Sequence, residues 1–351
     1  MKILKTALSG LGRIGWQYHI GNIAGNEGFY LAAVCDPLPE RLNDAKEKYQ
    51  ANCYEDFYRM IDAEKPELTV IASPTVLHAE QAVYALEHGS DVFMDKPMAC
   101  GLTEADKIIS AKERNGRKLM LYQPYRLAAA KKIKELIGTK IIGEVYMVKI
   151  SSCDFVFRND WQALKKYGGG MLNNYGAHYI DMALYLSGST ASRIDCHMRK
   201  VASAGDADDV VKILIETNNN ITVDIDIVMA AAIPLPKLIV YGSCGAISEI
   251  DKEDGKRYIN VRYFDASEQE KKAVDDRLSA EGRLYPTSAP KNWVEQEFQA
   301  DCEIGLGYYK ECYEYFALGK PPLVGINESR EVMRVIHECK ISANWNQDIG
   351  H

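Results

Sequence analysis

The stretch Leu4-Lys5-Thr6-Ala7-Leu8-Ser9-Gly10-Leu11-Gly12-Arg13-Ile14-Gly15 decides the fold: an apolar run, then a Gly-x-Gly-x-x-Gly loop, then a helical pattern. The motif has little weight by itself in a chain with 26 glycines. Its place between a strand and a helix supplies the context it needs. Gly10 permits a tight turn, Gly12 lets the backbone approach a pyrophosphate, and Gly15 lets the helix pack on the strand. The start of the helix then offers unpaired N–H groups and a positive dipole end to phosphates. Gly10, Gly12, Arg13, Ile14 and Gly15 are therefore candidate cofactor contacts. Asp36 follows at the end of the next apolar run. An acid there accepts hydrogen bonds from ribose hydroxyls and repels a 2′-phosphate, so NAD is the expected cofactor rather than NADP. Arg41, close by, weakens that preference.

Outward from this loop, residues 1–124 alternate short apolar runs with helical patterns. Ile3–Leu8, Leu31–Cys35, Leu68–Ala72, Asp91–Met94 and Lys118–Tyr122 read as strands buried on both faces. Residues 76–88 place Ala79, Ala82, Val83 and Leu86 on one helical face, with Gly89 as a stop. Thr103 is expected to cap a helix running through Arg114 to Gly116. The order implies a doubly wound parallel sheet with right-handed crossovers, a Rossmann domain. Residues 125–351 change character. Longer alternating strands appear, such as Ile221–Met229, and Asn218–Asn220 reads as a hairpin turn. A second α+β domain with a large open, mostly antiparallel sheet is expected there. Residues 265–292 read as a long polar excursion, and a last helix at about 328–343 is placed back on the first domain.

Composition narrows the partners. The chain has 351 residues, 47% of them hydrophobic, and a formal net charge of −7 with no long basic run. Neither nucleic acid nor an anionic membrane is an expected partner. Nine scattered cysteines without a C-x-x-C pair suggest reduced thiols in a cytoplasmic protein, with no disulfide frame and no metal site. The N-terminus is too short in apolar length for a signal peptide, and no run approaches a membrane span. Twenty-one tyrosines suit a sugar pocket or a subunit interface as well as ordinary core.

Two clusters carry chemistry. Met94-Asp95-Lys96-Pro97 ends a strand at the cofactor edge, and Pro97 disfavours helix at Lys96. A lysine beside an oxidised nicotinamide has its ammonium form disfavoured. The loop Ala72-Ser73-Pro74-Thr75 lies at the same edge and either lines the nicotinamide side or is a plain strand-to-helix turn. The second cluster, Gly168-Gly169-Gly170-Met171-Leu172-Asn173-Asn174-Tyr175-Gly176-Ala177-His178-Tyr179-Ile180-Asp181, is a glycine entry into a helix. Asn174 and His178 are spaced i,i+4 and face the same way. Gly176 leaves room beside them. The alternative is a core histidine held by Asp181.

Together these features resemble the Gfo/Idh/MocA oxidoreductases, the glucose-fructose oxidoreductase and inositol dehydrogenase family. The likeness rests on Gly10–Gly15, Ala72-Ser73-Pro74, His78-Ala79-Glu80, Asp95-Lys96-Pro97, Ile142-Gly143-Glu144-Val145, Arg158-Asn159-Asp160-Trp161 and the Gly168–Asp181 stretch. It implies that Lys96 and His178 are catalytic. It adds Ser73, Pro74, His78, Asp95 and Lys96 to the cofactor contacts, and Asn174, Arg126, Tyr125, Asp160, Trp161 and Tyr175 to the substrate contacts. Asn174 stands where many sugar and inositol dehydrogenases carry Asp; an amide binds a hydroxyl but accepts no proton. The implied activity is NAD-dependent oxidation of a secondary hydroxyl on a sugar, polyol or glycoside, by a homodimer or homotetramer formed through the C-terminal sheet. Two alternatives stay open: an enzyme that recycles tightly held NAD(H) between two sugars, and a ligand sensor that has lost the chemistry.

Overall fold

The computed structural model describes residues 2–127, 129–268, 292–300 and 304–345. Most of the expected excursion, at 269–291, lies outside the described residues. The first half forms a six-stranded parallel sheet from β1 (Leu4–Ser9), β2 (Phe29–Cys35), β3 (Asn52–Tyr54), β4 (Leu68–Ile71), β5 (Asp91–Met94) and β6 (Leu119–Leu121). Its order is β3-β2-β1-β4-β5-β6, the Rossmann arrangement. The inner strands are buried on both faces, with Leu68, Val70, Ile71, Val92, Phe93 and Met94 all fully inaccessible. That is why they read as near-continuous apolar runs. The sixth strand, β3, escaped that reading because Asn52-Cys53-Tyr54 is short, partly exposed and at the sheet edge.

The crossovers begin with α1 (Ile20–Ala24), which continues a π-helical turn at Gly15–His19. Next come α2 (Pro39–Tyr49), α3 (Phe57–Glu64), α4 (His78–Glu87) and α5 (Leu102–Arg114). Proline at the first position suits α2, and the Asp56 carboxylate caps α3 by accepting from Arg59 N–H at 2.8 Å. Thr103 is not the cap of α5. The helix starts one residue earlier, and the Glu104 carboxylate reaches back to the Cys100 N–H at 3.0 Å instead.

The second half builds α6 (Ala129–Gly138), β7 (Val145–Cys153), α7 (Ala177–Ser187), β8 (Ala191–Arg199), β9 (Val210–Thr217), β10 (Thr222–Val228), β11 (Leu238–Gly242), β12 (Gly245–Asp251), β13 (Arg257–Tyr263) and β14 (Val294–Gln299). The eight strands order as β14-β13-β12-β11-β7-β10-β9-β8. Among the described residues only the β7–β10 pairing is parallel; the other pairings are antiparallel, so the sheet is mixed. On β10 the alternation is plain. Val223, Ile225 and Ile227 are fully buried, while Lys149, Lys212, Asp224 and Asp226 form an ion ladder on the other face. Asn220 takes the left-handed conformation, φ 61°, that the β9–β10 hairpin requires.

Two further helices, α8 (Ile304–Phe316) and α9 (Ile326–Ser342), return toward the first sheet. On α8, Tyr308, Tyr309, Cys312 and Phe316 share a core with β1, β2 and β5. Tyr308 stacks on Phe93 with ring centroids 5.9 Å apart. On α9, Arg330 pairs with Asp106 of α5 at 2.7 Å. The Tyr308 hydroxyl is buried and used twice. It donates to the Leu121 carbonyl at 2.5 Å and accepts from the Gln123 N–H at 3.0 Å. Tyr308→Phe leaves both groups unpaired in the interior and is expected to cost about 2–4 kcal/mol, read as a lower urea midpoint with an unchanged slope.

Candidate active site

The glycine loop stands as its sequence requires. Gly10 has φ +91°, and a Cβ there would meet the Ala72 carbonyl carbon at 2.6 Å. A Cβ on Gly15 would meet the Gly10 oxygen at 1.8 Å. Gly12 differs: no protein atom lies within 4 Å of where its Cβ would stand. The reason for glycine there is not packing within the protein. It is the free approach a dinucleotide pyrophosphate needs, so the loop fits that group.

Asp36 is buried, and its carboxylate accepts from Leu11 N–H at 2.8 Å and Leu38 N–H at 3.1 Å. It therefore braces the glycine loop and sits at the rim of the expected ribose position. Arg41 pairs with it at 3.2 Å. Arg13 extends from the glycine loop to Asp160 in the second half, forming an ion pair across the crevice. Asp160 also caps the turn Trp161–Ala163 through the Gln162 N–H at 3.0 Å. Of the expected substrate contacts, Asp160 is thus turned toward the cofactor loop.

The loops after β4 and β5 are locked together by His78. Its ring nitrogens lie 2.8 Å from the Pro97 carbonyl and 2.9 Å from the Ser73 carbonyl. Ser73 Oγ donates to Gln81 Oε1 at 2.8 Å. The side chains of Ser73 and His78 are therefore committed to the protein. Asp95 Oδ1 accepts from the Lys96 N–H at 2.9 Å, and Lys96–Pro97 is a cis peptide.

From this loop the Lys96 ammonium crosses to the second half. It donates to the Asn174 carbonyl at 2.7 Å and to Asn174 Oδ1 at 2.8 Å. Asn174 Nδ2 is steered by Gln162 Oε1 at 3.4 Å. Burial lowers the Lys96 pKa to about 8, with Asp95 opposing and Arg158 assisting. Asn174 belongs to a π-helical turn, Leu172–Gly176, that leads into α7. This turn is anchored by Asp208, whose carboxylate accepts the Leu172 N–H at 2.7 Å. The carboxylate fits only because position 170 is glycine, φ +104°, where a Cβ would come within 2.1 Å of Asp208 Oδ1. Gly176 does not open space beside the site; it packs toward Leu172 and Ile227 in the core.

His178 stands one helical turn beyond Asn174 and is almost wholly buried. Its Nδ1 lies 2.7 Å from Gln123 Oε1. The amide of Gln123 can face only one way, because its Nε2 donates to the Ala177 carbonyl at 3.2 Å. Oε1 is then an acceptor, Nδ1 carries the proton, and Nε2 is left as the basic nitrogen. Burial and the neighbouring Lys96 charge hold the imidazole pKa well below its usual value, so the ring is neutral near pH 7. Asp181 does not hold this histidine. It forms a two-bond pair with Arg126, both bonds 2.7 Å, and Arg126 also meets Glu328 at 3.0 Å and the Leu323 carbonyl at 3.2 Å. Arg126, expected at the substrate, is instead a buried ion-pair centre.

Tyr125 packs against His178 with ring centroids 4.6 Å apart and stacks on Tyr179 at 5.9 Å. Tyr175 stacks on the other ring of that series, Tyr179, at 6.0 Å. The structure thus gathers Lys96, Asn174, His178, Tyr125 and Tyr175, and adds Gln123, Gln162 and Arg158. Arg158 lay within a quoted motif, yet nothing in the sequence marked Gln123 or Gln162 as partners.

Gln123→Leu removes the acceptor that fixes the His178 proton on Nδ1. The expected result is a kcat lower by about tenfold or more, within the ~10²–10⁴-fold that a positioned base contributes. Steady-state kinetics against a matched Gln123→Glu variant checks it; the carboxylate restores an acceptor and part of the rate.

Residues 4–123 match the oxidoreductase family with an NAD-binding Rossmann fold, and residues 130–248 match the Gfo/Idh/MocA C-terminal domain. The chain is 27% identical over 193 residues to D-glucoside 3-dehydrogenase of Escherichia coli, covering 54% of this chain and 55% of that one. It is 30% identical over 150 residues to inositol 2-dehydrogenase of Salmonella typhimurium, covering 41% and 44%. The chain spans about half the length of the curated relatives it matches. An NAD-binding protein from Listeria innocua shares the fold with a TM-score of 0.80 at 23% identity, over 99% of this chain and 96% of that one. The WlbA dehydrogenase from Bordetella pertussis, solved with NADH and UDP-GlcNAcA, does so with a TM-score of 0.76 at 21% identity, over 99% and 98%. With the glycine loop, the Asp95-Lys96-Pro97 turn and the His178 helix in one crevice, and both domain patterns matched in order, this chain belongs to the Gfo/Idh/MocA oxidoreductase family.

Proposed function

We propose that the chain is an NAD-dependent dehydrogenase acting on a secondary hydroxyl of a sugar, polyol or glycoside. The observation that carries this reading is the meeting of two halves. The Lys96 ammonium is held on Asn174, one turn from His178, whose pKa is lowered by burial and then by the Lys96 charge. The nicotinamide, when bound, supplies the hydride acceptor. His178 Nε2 takes the hydroxyl proton, since Gln123 keeps the other nitrogen protonated. Lys96 donates to the same oxygen and stabilises the negative charge that develops on it. Asn174 acts through Lys96, Tyr125 packs on the His178 ring and borders the space for the sugar, and the family resemblance assigns Tyr175 and Trp161 to the substrate. Asp36 supports NAD over NADP, because its buried carboxylate opposes a 2′-phosphate. The sheet face opposite α6 and α7 suits a homodimer or homotetramer, which light scattering on the purified chain would measure. The eight cysteines of the described residues are free thiols, in keeping with a reducing cytoplasm.

Lys96→Ala and His178→Ala should each lower turnover by orders of magnitude while NAD still binds, read by NADH formation across a sugar and polyol panel; near-normal turnover in both would refute the assignment. The pH profile follows from the same two groups. kcat/KM rises with pH while His178 loses its proton, which is complete below the usual histidine range. It falls above about 8, where Lys96 loses its ammonium form. A flat alkaline side in Lys96→Arg would identify that limb. Asp36→Ser should shift the NADP-to-NAD ratio of kcat/KM upward by about tenfold or more, about 1.4 kcal/mol. An unchanged ratio would remove Asp36 from cofactor choice.

A further inference from the structure

A cavity of about 270 Å³ shares Tyr125 with this site. Tyr125 and Tyr179 form an aromatic wall, stacked 20° from parallel. Around them stand Asp154, Glu249, Lys237 and Arg257. Glu249 is buried and pairs with Arg257 at 2.8 Å. Arg257 also meets Asp251 at 3.2 Å, and Lys237 pairs with Asp251. Apart from Tyr125, none of these groups belongs to the chemistry proposed above.

Each property limits the occupant. The volume lies below the ~300–1,000 Å³ of pockets for drug-sized ligands, so it suits one small ring. Lysine and arginine are matched by two carboxylates within the lining, and both cations are already paired. A phosphate or a sugar acid would bring negative charge that these pairs do not balance, which disfavours a nucleotide sugar. Hydroxyl groups both donate and accept, and neighbouring carboxylate and guanidinium groups answer both needs. The apolar face of a pyranose packs on tyrosine rings, whose hydroxyls stay polar. The Tyr125 ring that borders the cavity lies 4.6 Å from the His178 ring, centroid to centroid. The cavity and the imidazole therefore meet at the Tyr125 ring.

We propose that this cavity binds a second, neutral sugar ring of the substrate, so that the preferred substrate is a disaccharide-type glycoside whose other ring is oxidised between Lys96 and His178. The assignment of the occupant as part of the substrate rests on the dehydrogenase reading.

The test pairs binding with turnover. Calorimetric titration of the NAD-loaded protein compares methyl glucosides with glucose disaccharides of the same anomeric configuration, and NADH formation is followed for each. The expected wild-type result is about tenfold tighter binding of at least one disaccharide than of its methyl glucoside. Two variants probe the cavity. Glu249→Gln removes a charge from the lining, and Leu235→Trp, from an exposed position on the rim, fills the opening without touching the core. Both should shrink the disaccharide advantage to less than about twofold. Equal binding of the paired sugars by the wild type overturns the proposal, as does an advantage that survives in both variants. A disaccharide advantage lost in the variants, with no NADH formed from any sugar, upholds the cavity and refutes the dehydrogenase reading instead. Turnover of methyl glucosides and disaccharides with equal kcat/KM and equal affinity upholds that reading and refutes the cavity.

Discussion

A single ammonium joins the two halves of this protein where its chemistry lies. Lys96 leaves the carboxyl edge of the Rossmann sheet and ends on two oxygens of Asn174, at the head of the helix that carries His178. Both oxygens accept, so the ammonium is satisfied without a carboxylate partner at that end. Its desolvation is then only partly compensated, which holds its pKa near 8. A lysine so placed is cationic at neutral pH and still close to giving up a proton. Burial keeps the neighbouring imidazole neutral, and the same charge assists it. Desolvation at this contact therefore sets both protonation states.

Much of the remaining structure serves to hold that contact. Asp95 fixes the backbone at Lys96, and His78 ties the loop after β5 to the loop after β4. Asp208 anchors the π-helical turn from which Asn174 projects. On the other flank, Tyr308 of α8 bonds Leu121 and Gln123, and Gln123 bonds His178. A helix near the end of the chain thus positions an imidazole through two hydrogen bonds. The Arg126–Asp181–Glu328 cluster ties α7 to α9 in the same region. Removing Asp181 alone would leave the buried Arg126 charge without its main partner, a loss of about 3–5 kcal/mol.

The replacement of the common aspartate by Asn174 gains a physical meaning here. A carboxylate at 2.8 Å would neutralise Lys96 and raise its pKa. An amide gives the same hydrogen bond without the charge. The lysine is thereby kept more acidic, which agrees with the proposal that His178 is the base.

Several features were legible in the chain alone because they depend on neighbours in sequence. Gly10 and Gly15 are required by local backbone geometry, and the buried strands announce themselves as apolar runs. Lys96 and His178 stood out through motifs of contiguous residues. The short edge strand β3 did not, since three half-exposed residues carry no periodicity. Thr103 looked like a cap because hydroxyls usually cap helices, but Glu104 took that task from inside the first turn. The larger misreading was Arg126. Its partners lie 55 and 202 positions away, so its neighbours in sequence gave no sign that it was already paired. Gln123 was passed over for the same reason, being 55 positions from His178. Residue type and short-range spacing determined the Rossmann sheet, the glycine loop and the two side chains proposed to react. Only the packed structure decided which nitrogen of His178 is basic, what holds Lys96, and which arginine is occupied. Those outcomes depend on hydrogen bonds between distant segments, and such bonds exist only once the segments have been buried against one another.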